Sequence, residues 1–188
     1  IHASMGPIPD DRSREMYWNQ AMDVLRKIGV TGHEALLESI HHAAFLDERW
    51  SGLQHGEVGL DHVLAIDGEL KLVDFEGSLW GNPLIDVAFP SMAFGHMPAT
   101  AVLPATATER FEQRYFERLE RALPHLAEHG HRDLAFIKAY LALEILGAFF
   151  DHCGSERWAP YGGNRCRRQI VSQWRVVERL AGFETLGG

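Results

Sequence analysis

The densest group of side chains able to do chemistry lies between His55 and Glu76, where the chain reads HGEVGLDHVLAIDGELKLVDFE. Two imidazoles, His55 and His62, stand there among the carboxylates Glu57, Asp61, Asp74 and Glu76. The strand-forming runs Val63 to Ile66 and Glu69 to Phe75 flank Asp67-Gly68, a dipeptide that tolerates the positive φ angles of a type I′ turn. The segment therefore predicts a β-hairpin. A hairpin brings its outer ends together, so His55, Glu57, Asp61 and His62 face Asp74 and Glu76 at the far end of the second strand. Carboxylates and an imidazole brought to one place repel or require a partner, and a cation is the usual one.

The same residues allow plainer readings. Asp61, Asp74 and Glu76 are also what a solvated turn carries, and His55 is also a packed imidazole. The H-x-E spacing of His55 and Glu57 is shared with zinc deaminases, but their P-C-x-x-C partner is missing, since Cys153 and Cys166 are the only cysteines and are wrongly spaced. His41 and His42 fall on an expected helix, where exposed or packed histidines are the ordinary case. His125, His129 and His131 gather around Gly130 at an expected helix-to-helix turn, where a solvated loop outweighs a surface metal site.

Helical patterns surround the hairpin and must position it. Residues before Asp11 read as loop, with Pro7 and Pro9. From Asp11 to Gly29, Met16, Met22, Val24, Leu25 and Ile28 give an amphipathic helix. A second helix opens with Thr31 as cap and Glu34 three residues on, its apolar face being Leu36, Leu37, Ile40, Ala44 and Phe45. After the hairpin, Gly77 to Pro83 reads as a turn-rich connection. Leu84 to Phe94 starts helically, and Pro90 limits or kinks it. His96 to Ala105 reads as a connector, with a lid as the other option. Three helices follow: one from Thr106 or Thr108 to Ala122, ended by Pro124; a buried one over about Arg132 to His152; and one over about Asn164 to Leu180.

At 188 residues and 46% hydrophobic, the chain can bury a core, and one domain is the default. A net charge of −8 argues against nucleic acid as a partner and mildly favours cationic or metal-chelated ligands. Two cysteines without a C-x-x-C pair support neither a disulfide framework nor a cysteine zinc site, and a reducing cytoplasm is the expected location. Tyr140 to Phe150 is too short for a membrane span and contains Glu144, so no membrane is expected as a partner. The chain begins at Ile1 in mid-register, from which a longer polypeptide is expected.

Three motifs in order, HGE-x4-H from His55 to His62, VDFE from Val73 to Glu76, and GNPLIDVA from Gly81 to Ala88, resemble those of the aminoglycoside phosphotransferase and choline kinase group of small-molecule kinases, whose usual forms are HGD-x4-N, IDxE and GDPxxDLA. The resemblance is direct over about Leu53 to Ala88, and Ile1-His2-Ala3 is similar to a Leu-His-Ala that often follows the family's nucleotide lobe. It implies an α+β fold: the α-rich C-terminal lobe of a protein-kinase-like structure with a small hairpin, the nucleotide-binding N-terminal lobe lying outside this chain. Residues 1–188 then form a single domain, with leading helices over 1–50, the catalytic and metal loops over 51–80, and a helical substrate-side part over 81–188.

By that resemblance Glu57 is the base that accepts the proton of the attacking hydroxyl, His62 and Asp74 hold Mg2+ or Mn2+, and Leu64 and Val73 border the nucleotide, ATP or GTP. His55 and Asp86 brace the catalytic loop. Asp151, Glu156, Trp158 and Tyr161, after the buried helix, either rim the pocket of a small-molecule acceptor or cap the core. The expected activity is transfer of a phosphoryl group to a hydroxyl of an antibiotic or metabolite, in a bacterial-type phosphotransferase. The alternative is a kinase-like binding or scaffold module that has abandoned the chemistry.

Two departures from the family pattern bear on that choice. Glutamate at position 57 reaches roughly 1.5 Å further than aspartate, and misplacement near 1 Å can cost about a hundredfold. Histidine at position 62 offers nitrogen in place of oxygen, which Mg2+ accepts less readily than Mn2+ or Zn2+ do; macrolide phosphotransferases of the family look similar at this place. No Gly-rich phosphate loop or strand lysine of the expected kind occurs, so the triphosphate clamp is expected from a separate lobe or partner protein.

Overall fold

The computed structural model describes residues 12–27, 29–56, 58–59, 62–92, 105–153, 174–175 and 177–179. The fold is mixed α+β and mostly helical, with two small two-stranded sheets. Helices α1 (Arg12–Lys27) and α2 (Glu34–His41) come first, and α2 passes into a π-helical turn, His42–Leu46. A 3-10 turn, Glu48–Trp50, leads to strands β1 (Gly52–Gln54), β2 (Val63–Ile66), β3 (Glu69–Leu72) and β4 (Leu79–Gly81). Helices α3 (Leu84–Met92), α4 (Ala105–Ala122) and α5 (Pro124–Cys153) follow. No helix among the described residues is long and apolar enough to cross a membrane.

Strands β2 and β3 form the hairpin that the Asp-Gly dipeptide predicts. Val63 pairs with Leu72, Leu64 with Lys71, Ala65 with Leu70, and Ile66 with Glu69. Asp67 and Gly68 have φ of 53° and 81°, both positive as a type I′ turn requires. Opposed residues share a face, so Val63, Ala65, Leu70 and Leu72 line one side. The second strand closes at Leu72 and does not reach Phe75. The reason is Asp74, whose left-handed backbone (φ 67°, ψ 57°) turns the chain into a 3-10 turn over Phe75–Gly77.

A second antiparallel pair, absent from the sequence reading, joins β1 to β4 with Gly52 opposite Gly81, Leu53 opposite Trp80 and Gln54 opposite Leu79. Three-residue strands carry too little pattern for alternation to show. Directly after β4, the Asn82 Oδ1 accepts the Leu84 N–H at 2.9 Å and caps α3. Pro90 lies inside that helix, which continues to Met92.

The chain divides into two compact units. The first, within Phe45–Leu134, carries both sheets, α3, α4 and the start of α5. Its core includes Leu84, Ile85, Val87, Ala88, Phe116 and Leu134. Buried Asp133 accepts from the Trp50 indole N–H at 2.9 Å and from Arg49 at 3.0 Å, so two residues of the 3-10 turn are fastened to α5 by one carboxylate. Hydrogen bonding to Asp47, together with the charge of Asp133, raises the Arg49 pKa above its ordinary value. The second unit holds α1, α2 and α5 from Ala135. There Trp18 stacks on Tyr140 with centroids 6.3 Å apart, over a core of Ala21, Val24, Leu25, Leu36, Ile40 and Ile137.

Three expectations about the helices are corrected. The helix after the first loop starts at Glu34 with His33, not Thr31, at its N-cap, and no side chain there makes a capping bond. Met16 is exposed, and the buried side of α1 is Trp18, Ala21, Val24 and Leu25. Gly130 does not mark a turn: α5 runs unbroken from Pro124, carrying His125, His129 and His131 on the helix. The glycine is there because Phe116 packs on it; a Cβ at position 130 would lie 2.4 Å from Phe116 Cε1. A glycine needed for close helix contact imitates a helix stop in the sequence.

Candidate active site

Four of the sequence-predicted residues converge at the open end of the β2–β3 hairpin. His55 and Gly56 follow β1, and their backbone N–H groups both donate to Asp86, at 2.7 Å to Oδ2 and 2.8 Å to Oδ1. Asp86 can reach them because Asn82 starts α3 one turn earlier. From the other side His55 Nε2 lies 2.8 Å from the Val73 carbonyl; a carbonyl only accepts, so that nitrogen carries the proton and donates. Val73 in turn donates its N–H to the His62 carbonyl at 2.9 Å, extending the hairpin ladder by one rung. The segment carrying Asp74 is therefore tied to the loop after β1 and to the start of β2.

These bonds fix the approach of His62 and Asp74. His62 Nε2 lies 3.4 Å from Asp74 Oδ2, the two side chains being 20% and 46% exposed, so the pair faces solvent and a ligand can reach it. The His55 ring lies 5.7 Å from that of His62 and 4.7 Å from Phe75, and is itself buried. Its Nδ1 has no hydrogen-bond partner among the described residues; nor do the buried Ser78 Oγ and the Gln54 side-chain amide. The packing role of Phe75, and the polar burial of Gln54 and Ser78, were not anticipated. His55 directly follows β1 and Ser78 directly precedes its partner β4, a relation visible only once the pair is known. Tyr115 on α4 was missed too. Burial, and secondarily the negative charge of Asp86, raises its phenol pKa.

The remaining candidates stand as follows. Leu64 lies on β2 opposite Lys71 and is exposed, and Val73 is half-buried, contributing mainly its backbone. Glu76 is exposed in the 3-10 turn. Glu57, Asp61, Glu156, Trp158 and Tyr161 lie outside the described residues, as do His96 and Cys166. Asp151 falls in the last turn of α5, and its side chain is outside the description.

Among the described residues, no group of three or more His, Cys, Asp or Glu side chains is placed to hold a metal ion. Two protein donors are nevertheless enough for a metal carried in with phosphate, because Mg2+ commonly keeps waters and takes one or two carboxylates plus substrate oxygens. His62 and Asp74 present one imidazole nitrogen and one carboxylate oxygen on the same open face.

Compared with protein-family models, curated proteins and solved structures, the chain matches none.

Proposed function

We propose that this chain is the helical, acceptor-side lobe of an aminoglycoside phosphotransferase-like enzyme, a nucleotide-dependent phosphotransferase that uses ATP or GTP to phosphorylate a hydroxyl of a small molecule. The observation that carries the reading is the 3.4 Å approach of His62 and Asp74 at the mouth of a hairpin whose two ends are bound to each other through His55 and Val73 and to Asp86. Asp74 adds support, since a non-glycine residue held at positive φ costs about 1–3 kcal/mol and such residues concentrate at functional sites.

In this reading each residue has a task. Asp74 and His62 face the nucleotide phosphates together, and a divalent ion bound there supplies neutralisation of the charge that builds on the transferring group. Glu57, two residues past His55, accepts the proton of the acceptor hydroxyl. His55 and Asp86 hold the loop that carries it. Leu64 and Val73 border the nucleotide, and Asp151, Glu156, Trp158 and Tyr161 contact the acceptor. The triphosphate clamp comes from a nucleotide-binding lobe or a partner protein, and the enzyme works in the cytoplasm.

The other reading, a kinase-like binding or scaffold module, is favoured by a specific observation: Leu64, Ile66, Leu70 and Leu72 are all exposed on the hairpin, Leu70 at 77%. A two-stranded hairpin is marginal alone in water, and apolar faces on it suit a protein partner. Calorimetric titration of the protein together with its nucleotide-binding lobe or partner, by Mg-ATP and Mg-GTP, separates the two. The enzyme reading expects saturable binding that Asp74→Asn, a near-isosteric change at an exposed position, weakens at least about tenfold, or 1.4 kcal/mol. Binding unaffected by the substitution, or no nucleotide binding at all, rejects it in favour of the module.

A further inference from the structure

Behind the exposed His62–Asp74 pair lie buried polar atoms whose hydrogen bonds are unmade. His55 is 5% exposed and Ser78 9% exposed, and among the described residues neither His55 Nδ1 nor Ser78 Oγ has a hydrogen-bond partner, so they do not bond each other either. Their needs are complementary. His55 Nε2 donates the ring proton to the Val73 carbonyl, so in the neutral imidazole Nδ1 is a bare acceptor. The Ser78 hydroxyl can both donate and accept. Polar groups buried this deeply are nearly always paired, and an ordered water is the usual partner where protein groups do not meet directly.

Strand pairing and ring packing both bring the two residues together. His55 directly follows β1 and Ser78 directly precedes β4, each next to the last pair of that ladder, Gln54 with Leu79. The Ser78 backbone is extended (φ −68°, ψ 136°) and so continues the line of β4. Successive side chains of an extended chain point to opposite faces, which sets Ser78 on the side away from Leu79 and Gln54. The Gln54 amide, also unpartnered, lies against Gly81 instead. Phe75 supplies the second tie: its ring packs on that of His55 with centroids 4.7 Å apart, while its carbonyl accepts the Ser78 N–H at 3.1 Å.

We infer that Ser78 is a positioning residue: its hydroxyl and His55 Nδ1 share a buried water molecule, which accepts from Ser78 Oγ, donates to Nδ1 and so keeps the His55 proton on Nε2. Which nitrogen of an imidazole carries the proton is set by the bond that the other makes. With the proton fixed on Nε2, the ring holds the Val73 carbonyl, and Val73 directly precedes Asp74. The bridge thereby steadies the backbone from which Asp74 reaches the site. Its value for catalysis rests on the proposal that Asp74 faces the nucleotide phosphates; the bridge itself does not. In the sequence Ser78 falls in a turn-rich connection, where no pattern sets it apart.

The test uses the full chain with nitrogen-15-labelled histidine at a single pH, as wild type, Ser78→Ala and Ser78→Thr. In wild type the His55 ring, assigned through its contact with Phe75, should give the separated nitrogen resonances of one tautomer, with Nδ1 shifted upfield by the bond it accepts. The Hε1 proton beside Nδ1 should show an Overhauser cross-peak to a long-lived water. Ser78→Ala should abolish the upfield shift and the cross-peak, and should speed solvent exchange of the Nε2 proton at least about tenfold. Ser78→Thr, which keeps the hydroxyl, should restore each of these. The sign of the stability change is a further readout. Removing a buried hydroxyl that has no partner would raise the urea midpoint, whereas removing one that is bridged leaves Nδ1 short of its donor and should lower it. A higher midpoint for Ser78→Ala, or an Nδ1 resonance that this variant leaves in place, would overturn the inference. So would an upfield Nδ1 without the water cross-peak, which would set Ser78 directly on the ring. Failure of the phosphotransferase reading looks different: the Nδ1 shift and the water cross-peak respond to Ser78→Ala, but Mg-ATP binding by the protein with its nucleotide-binding lobe or partner is unchanged by Asp74→Asn.

Discussion

Asp86 is where residue-scale chemistry and loop placement meet. One carboxylate takes the backbone N–H groups of both His55 and Gly56, and hydrogen bonds to a charged acceptor are worth about 1.5–3 kcal/mol each. Asp86→Ala leaves two donors at a half-buried place with no acceptor, so a loss of about 2–4 kcal/mol in unfolding free energy is expected from urea denaturation. Asp86→Asn keeps one acceptor and turns an NH2 toward the second N–H, and should fall between wild type and alanine. A loss under about 0.5 kcal/mol for alanine would mean that water replaces the carboxylate and that the loop is not fastened there. The candidate residues near it were legible in unequal degree. His62 and Asp74 stand out because a hairpin with a strong turn signal must bring its ends together. Tyr115 does not, because its relation to Asp86 depends on α4 packing against α3, which no local pattern encodes.

At the scale of elements, the contact of α4 with α5 turns on Gly130. A glycine inside a helix costs about 0.8–1.0 kcal/mol relative to alanine, so Gly130→Ala would stabilise an isolated α5. In the fold, the new Cβ would stand 2.4 Å from Cε1 and 3.0 Å from Cδ1 of Phe116. That ring is 5% exposed and packs against His131, with centroids 4.1 Å apart. Overpacking of this kind costs about 1–3 kcal/mol, which exceeds the propensity gain. A net destabilisation of about 1–2 kcal/mol is expected, and Phe116→Leu in the Gly130→Ala background should recover part of it. A thermal midpoint above wild type for Gly130→Ala alone would show that the ring does give way. The same contact explains why the elements were read unevenly from sequence. The hairpin, the apolar centre of α5 and the extent of α4 follow from period and turn chemistry. The β1–β4 pair, the unbroken start of α5 and the Asn82 cap depend on partners distant in sequence or on strands too short to show a period.

For the whole molecule, the coupling of proton binding to unfolding provides a test that local readouts do not. Tyr115 is half-buried on α4, and its pKa is raised, first by burial and then by the negative charge of Asp86. An unfolded tyrosine ionises near pH 10. Above that value the unfolded chain releases the proton while the folded chain retains it, so folding holds more protons and stability falls as pH rises. The favourable contribution is complete below about pH 10 and is lost as pH climbs through the folded value. Other groups titrate in the same range, among them the lysines and the remaining tyrosines, and a chain already at −8 accumulates more negative charge as they do. Tyr115→Phe removes one titration and leaves these intact, so the comparison isolates it. Urea midpoints followed by circular dichroism between about pH 8 and pH 10.8 should fall more steeply for wild type than for Tyr115→Phe. Parallel slopes would mean that the phenol ionises alike in both states. In the Asp86→Ala background, which removes the second cause, the wild-type slope at position 115 should become shallower but not vanish, because burial is the larger cause.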